Sequence, residues 1–166
     1  MKQLLKLTGC LAVAGLFVSC QSVQQEANYQ VIPLPQEIVV EQGVPFILKS
    51  GVKILYPEGN EKMQRNAKFL ADYLKTATGK DFAIEAGTEG KNAIVLTLGT
   101  ANENPESYQL KVAGDGITIT GPTEAGVFYG IQSLRKSLPV AVGADISMPA
   151  VEINDAPRFG YRGAHF

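Results

Sequence analysis

The sequence has no tryptophan, one histidine and two cysteines, and both cysteines lie at or before position 20 of 166. Each scarcity excludes something. With no cysteine beyond Cys20, the body of the chain has no disulfide framework. His165 is the lone histidine, and neither a retained cysteine pair nor an H-E-x-x-H pattern accompanies it. That leaves no set of metal ligands, so no metal is expected and His165 reads as structural. No Gly-x-x-x-x-Gly-Lys motif follows a strand, which removes the phosphate loop, and no cofactor is expected. An excess of one charge is missing too: 15 Lys and Arg stand against 16 Asp and Glu, a net charge of -1. No basic run points to nucleic acid, and no acidic tail points to a solvating arm. What is present is an ordinary globular composition, 45% hydrophobic, with 17 Gly and 9 Pro spread over many turns.

The N-terminus accounts for both cysteines. "MKQLLK" supplies Lys2 and Lys6, and "LTGCLAVAGLFVS" follows as an apolar run too short to span a bilayer comfortably. "FVSC" resembles a bacterial lipoprotein cleavage box, with the small Ser19 before Cys20 and Phe17 where leucine is commoner. Residues 1–19 are therefore expected to be a lipoprotein signal peptide, with Cys10 discarded inside it. Cys20 is expected to carry lipid, and residues 20–29 to form a polar tether. The resemblance implies an exported bacterial lipoprotein, in the periplasm or at the outer membrane, with the membrane as a partner. The alternative is an ordinary signal peptide with Cys20 merely near its cut.

Beyond the tether, "PLP" is a stiff extended opening. "EIVVE", "PFIL" and "VKILY" are short β-branched and aromatic runs parted by the turns "EQG" and "KSG", which predicts a three-stranded meander. From Asn60 to Thr78 the period changes. Met63, Ala67, Leu70, Leu74 and Ala77 recur at helical spacing, and Gly79 stands at the stop. "DFAIEAG" predicts a strand. "NAIVLTLGT" predicts a central strand covered on both sides, because Val95 keeps its second face apolar. "YQLKV" and "ITITG" alternate cleanly around "AGDG", a hairpin with glycines available for positive φ. A second helix follows, with Thr123 as N-cap and Val127, Ile131, Leu134 and Leu138 as its stripe. Gly126 and Gly130 share one of its faces, which predicts close approach to backbone or to a partner surface. Phe128 and Tyr129 read as core. An irregular stretch then leads into "PAVEI". The expected fold class is α+β: a mostly antiparallel sheet with two amphipathic helices packed on it.

Three stretches together resemble one family. "YQLKV…GDGITITGPTEAGVFYGIQSLRKSL", the opening "VIPLPQEI" and the segment "NDAPRFGYRGAHF" are similar to the N-terminal domain, and its exit, in β-N-acetylhexosaminidases of glycoside hydrolase family 20. The resemblance runs from about Tyr29 to Phe166. It implies a non-catalytic α+β domain over 30–155, then the first strand of a (β/α)₈ barrel over 156–166, with the rest of the barrel absent. The family acts on terminal GlcNAc or GalNAc by substrate-assisted retaining catalysis, an exception to the usual two-carboxylate scheme. Its adjacent Asp-Glu pair occurs nowhere in this sequence. This chain alone is therefore expected to be inactive, with no catalytic residue of its own and a glycan partner only through the missing barrel. The resemblance carries one role over: Arg162, in "YRG", would bind sugar hydroxyls. Asp155 and Arg158 are expected to pin the linker, and Glu152 and Asp145 have no partner at useful spacing. The alternative is a stand-alone lipoprotein binding or scaffold module, whose difficulty is a tail ending in an unpaired apolar strand. Similar domains also precede other glycosidase barrels, such as α-glucuronidases, but "PRFGYRG" favours the hexosaminidases.

Overall fold

The computed structural model describes residues 25–99, 103–160 and 163. In chain order the elements are β1 (Gln25–Glu26), β2 (Glu37–Val40), β3 (Phe46–Leu48), β4 (Lys53–Tyr56), α1 (Glu61–Thr78), β5 (Ala83–Ala86) and β6 (Ala93–Leu98). They continue with β7 (Tyr108–Ala113), β8 (Gly116–Gly121), α2 (Glu124–Ser137), β9 (Ile146–Met148) and β10 (Val151–Asp155).

Both helices form where the periodicity places them. Asn60 is extended, and its side-chain oxygen accepts from the N–H groups of Lys62 and Met63 at 3.1 and 3.0 Å. That satisfies two donors which the first turn leaves without partners. At the other end Gly79 takes a left-handed φ of 72° and donates to the Lys75 carbonyl, closing the helix. Met63, Ala67, Leu70, Leu74 and Ala77 are all buried, as are Val127, Ile131, Leu134 and Leu138 after the Thr123 cap.

The sheet departs from the expectation of mostly antiparallel pairing. Its seven strands run in the order β2-β10-β7-β8-β6-β4-β5. The β2–β10, β10–β7 and β7–β8 pairs are antiparallel, whereas β8–β6, β6–β4 and β4–β5 are parallel. The fold is α+β with a mixed sheet. The parallel half exists because α1 carries the chain back between β4 and β5, as parallel neighbours require. The segment 87–92 then returns to the start of β6 and passes over Leu55, whose side chain packs with Ala93 and Val95 on the second face. β6 is thus an interior strand with both faces buried, as its apolar run predicts.

The expected meander does not form. β2 lies at one edge of the large sheet against β10, and β4 lies in the parallel half. β3 joins a separate three-stranded sheet in the order β1-β9-β3. Its alternation of buried Phe46 and Leu48 finds a partner in Ile146 and Met148, within the stretch that reads as irregular. Short apolar runs do not disclose which distant run they pair with. The hairpin turn differs in its reason too. Gly114 and Gly116 do not have positive φ. A Cβ on Gly114 would stand 2.9 Å from the Val44 carbonyl oxygen, and one on Gly116 2.8 Å from that of Ala93, so close approach dictates both.

α2 lies on β7 and β8 through its glycine face. A Cβ on Gly126 would collide with the carbonyl oxygen of Ser107, and one on Gly130 would stand 2.5 Å from Ile119 Cγ2. The glycines therefore face the domain's own sheet rather than a partner. Alanine normally stabilises a helix interior by about 1 kcal/mol over glycine. At Gly126 the sign should reverse: Gly126→Ala is expected to lower unfolding free energy by about 1–3 kcal/mol, the usual cost of overpacking. Urea denaturation measures it, and a stabilised variant would contradict the packing.

Candidate functional site

The large sheet has two unlike faces. Ile54, Ile94, Leu96, Leu110, Ile117, Ile119 and Ile153 point under the helices and are buried. The opposite face carries Glu37, Gln109, Lys111, Thr118, Glu152 and Asn154 on adjoining strands, with Glu41 just beyond β2. Apart from Thr118, these side chains satisfy one another. Lys111 Nζ lies 3.4 Å from both Glu41 and Glu152 carboxylate oxygens. Gln109 donates to Glu152 at 3.1 Å and to Asn154 at 3.2 Å, and Asn154 donates to Glu37 at 3.0 Å. Glu152, which has no partner at useful spacing in the sequence, finds its partners across strands. The hydrogen bond from Asn154 holds its carboxyl below the usual carboxylate range, with Lys111 assisting. A group held ionised in this way is the reverse of a general acid, which needs a raised pKa. Asp145 likewise pairs with Lys80, beside the C-terminal end of α1.

A second cluster fixes the end of β10. Asp155 accepts from the backbone N–H of Gln36 at 3.1 Å and from the Tyr108 hydroxyl at 3.2 Å. The Tyr108 hydroxyl also bonds Ser133 on α2, and burial pushes its pKa up. Gln36 Nε2 donates to the Ala156 carbonyl at 2.6 Å, and Asn104 reaches the Pro157 carbonyl at 3.5 Å. Asp155 thus pins the linker, as its position suggests. Arg158 is exposed and makes no ion pair among the described residues. Tyr108 and Ser133 escape the sequence reading because a strand tyrosine facing the core gives no sign of where its hydroxyl ends.

A third junction joins the helix starts. Asn60 donates to the Glu124 carboxylate at 3.0 Å, and Asn66 donates to the Glu124 carbonyl at 2.9 Å. The hydrogen bond from Asn60 depresses the Glu124 pKa. An open hollow beside it is lined by Glu58, Lys62, Arg65 and Glu124, a mixed set with no converging chemistry. Between the helices, Phe128 packs on Phe69 at 5.4 Å, and Arg135 stacks 5.1 Å from the Tyr73 ring. Phe128 belongs to that half-buried seam rather than to the deep core.

Arg162, Cys20 and His165 lie outside the described residues, as do residues 161 and 164–166 of the barrel strand expected over 156–166; residues 156–160 form no strand. Among the described residues, no group of His, Cys, Asp and Glu could hold a metal ion, and no helix is long and apolar enough to cross a membrane.

A sequence model described as glycosyl hydrolase family 20, domain 2, matches residues 28–156. The chain is 33% identical to a β-hexosaminidase of Porphyromonas gingivalis over 96% of its own length and 21% of that protein's. Its fold matches the GH20 β-N-acetylhexosaminidase of Streptomyces coelicolor with a TM-score of 0.73 and 28% identity, over 84% of this chain and 28% of that one. It also matches a Streptomyces plicatus β-hexosaminidase in complex with its product GlcNAc, with a TM-score of 0.67 and 29% identity, over 80% and 27% of the two chains. The chain thus spans between a fifth and a third of each relative.

The junction of the helices has a pH signature. The folded-state pKa of Glu124 is lowered from its ordinary 4.5. Its stabilising contribution is therefore complete above that value and is lost as pH falls through the lower folded value. The melting-temperature gap between the natural chain and Glu124→Gln should be widest near neutrality and close below pH 4.5. A gap that persists unchanged at pH 3 would mean the carboxylate charge plays no part.

Proposed function

We infer the function from one premise: the chain belongs to glycosyl hydrolase family 20, whose domain 2 it matches over residues 28–156. It is the non-catalytic support domain of a β-N-acetylhexosaminidase. The whole enzyme would release terminal N-acetylhexosamine, GlcNAc or GalNAc, from glycans by substrate-assisted retaining catalysis. That match to one structural domain of the family carries the reading. The chemistry of the described residues agrees with it: Glu124 and Glu152 are both held below the usual carboxylate range, away from the proton donor a glycosidase needs. The relatives are glycosidases of which this chain matches one part, so the stand-alone binding module gains no support.

Three finer assignments belong to the same reading. Residues 156–166 begin the catalytic barrel, delivered to it by the pinned end of β10. Within them Arg162 donates to hydroxyls of the terminal sugar, a task suited to a guanidinium with its rigid set of donors. Cys20 carries a lipid that holds the exported protein at a bacterial membrane.

Hydrolysis of a chromogenic GlcNAc glycoside tests the reading. Residues 20–166 alone should give no turnover, and activity that survives repurification would overturn it. In the protein extended through a complete barrel, turnover should appear. There, Arg162→Lys should raise KM at least as much as it lowers kcat, because a point charge replaces a fork of donors. Unchanged kinetics would remove the role given to Arg162.

A further inference from the structure

We propose that the end of the domain formed by the C-termini of both helices lies on the phospholipid surface, with Ile32, Val140 and Val142 as its contact residues. The proposal rests on the reading of Cys20 as a lipid anchor and adds to it the face that meets the membrane.

The backbone register places the tether at this end. β1 runs parallel to β9 with Gln25 opposite Ile146, the first residue of β9. The chain therefore reaches β1 beside Asp145, at the close of the segment 139–145. That segment is tied to the C-terminus of α1: Ala141 donates to the Ala77 carbonyl, Gly143 to that of Thr78, and Lys80 holds the Ala144 carbonyl and the Asp145 carboxylate. The C-terminus of α2 meets the same place, because Asn28 donates to the Ser137 carbonyl and Lys136 to that of Ile32. Gln25 follows Cys20 by five positions. Fully extended, that span reaches roughly 17 Å. α1 is 18 residues long, about 27 Å at helical rise. A lipid on Cys20 thus brings the helix C-termini to the bilayer and leaves the helix N-termini far from it.

The side chains at this end suit that position. Ile32 is 86% exposed, Val140 79% and Val142 71%. Single exposed aliphatics need no explanation, but three around the end nearest the anchor do. Lys136 and Lys49, the latter just beyond Leu48 opposite Ile146, make no ion pair among the described residues. The carboxylates nearby are Asp81, paired with Lys75, Asp145, paired with Lys80, and Glu26 beside Tyr29. Exposed aliphatic side chains with Lys136 and Lys49 beside them are what an interfacial contact with anionic lipid uses.

The test is to produce the full chain with its signal peptide. Ile32→Cys, Val140→Cys and Val142→Cys variants are each labelled with a polarity-sensitive fluorophore, and Glu58→Cys serves as the far-end control. Each is reconstituted in vesicles of phosphatidylethanolamine and phosphatidylglycerol containing brominated lipid. The expected result is an acylated N-terminal Cys20 by mass spectrometry. Bromolipid should then quench the labels at positions 32, 140 and 142 and leave that at 58 bright. If Cys20 is acylated but those labels are quenched by aqueous iodide as readily as the control, the surface contact is overturned and the anchor stands. Labels shielded from both quenchers would mean that protein covers this face, which also overturns it. An unmodified Cys20 would remove the anchor, and the contact with it.

Discussion

The close seating of α2 on the β7–β8 pair is the constraint on which the domain depends. Two glycines one helical turn apart bring the helix backbone to the carbonyl of Ser107 and the side chain of Ile119. At that separation Val127, Ile131 and Leu134 are fully buried in the core. The same closeness brings Ser133 to the Tyr108 hydroxyl, and Tyr108 in turn to Asp155. A helix standing farther off would leave those polar groups without partners at the point where β10 ends, and buried polar groups left so are costly. Packing near the middle of the sheet thus governs the direction in which the chain leaves it.

The two faces of the sheet divide the work. One is apolar and roofed by helices. The other neutralises its own charges through Lys111, Glu41, Glu152, Gln109 and Asn154, with the Glu152 carboxyl held below its usual range. This accords with a domain that positions a neighbour instead of reacting with substrate.

Much of this was legible in the sequence, and what was not has definite causes. Helix caps are local, so Gly79 and Thr123 could be read directly, whereas the cap at Asn60 was not read. The doubly buried β6 announced itself through Val95 on its second face. Strand partnership is not local: β3 pairs with β9 across about a hundred residues, and nothing in "PFIL" names "ISM". The parallel half was misread because a strand, a helix and a strand in succession was taken as a helix laid on an antiparallel sheet, when the helix is itself the crossover. The paired glycines signalled close contact correctly but not with what. Of the residues assigned a role from their place in the chain, Asp155 is held at the end of β10, Arg158 is exposed with no ion pair among the described residues, and Arg162 and Cys20 lie outside the described residues.

The chain enters the domain beside the C-termini of the helices and leaves it, after Asp155, at the strand ends where the helices begin. Those ends are separated by the length of α1, about 27 Å. In physiological salt a surface charge is screened over about 8 Å, so the separation exceeds three such lengths. Whatever is joined at one end is electrostatically insulated from a charged boundary at the other. The titration of its groups and its attraction for ions or polymers would then be set by its own residues and not by the boundary.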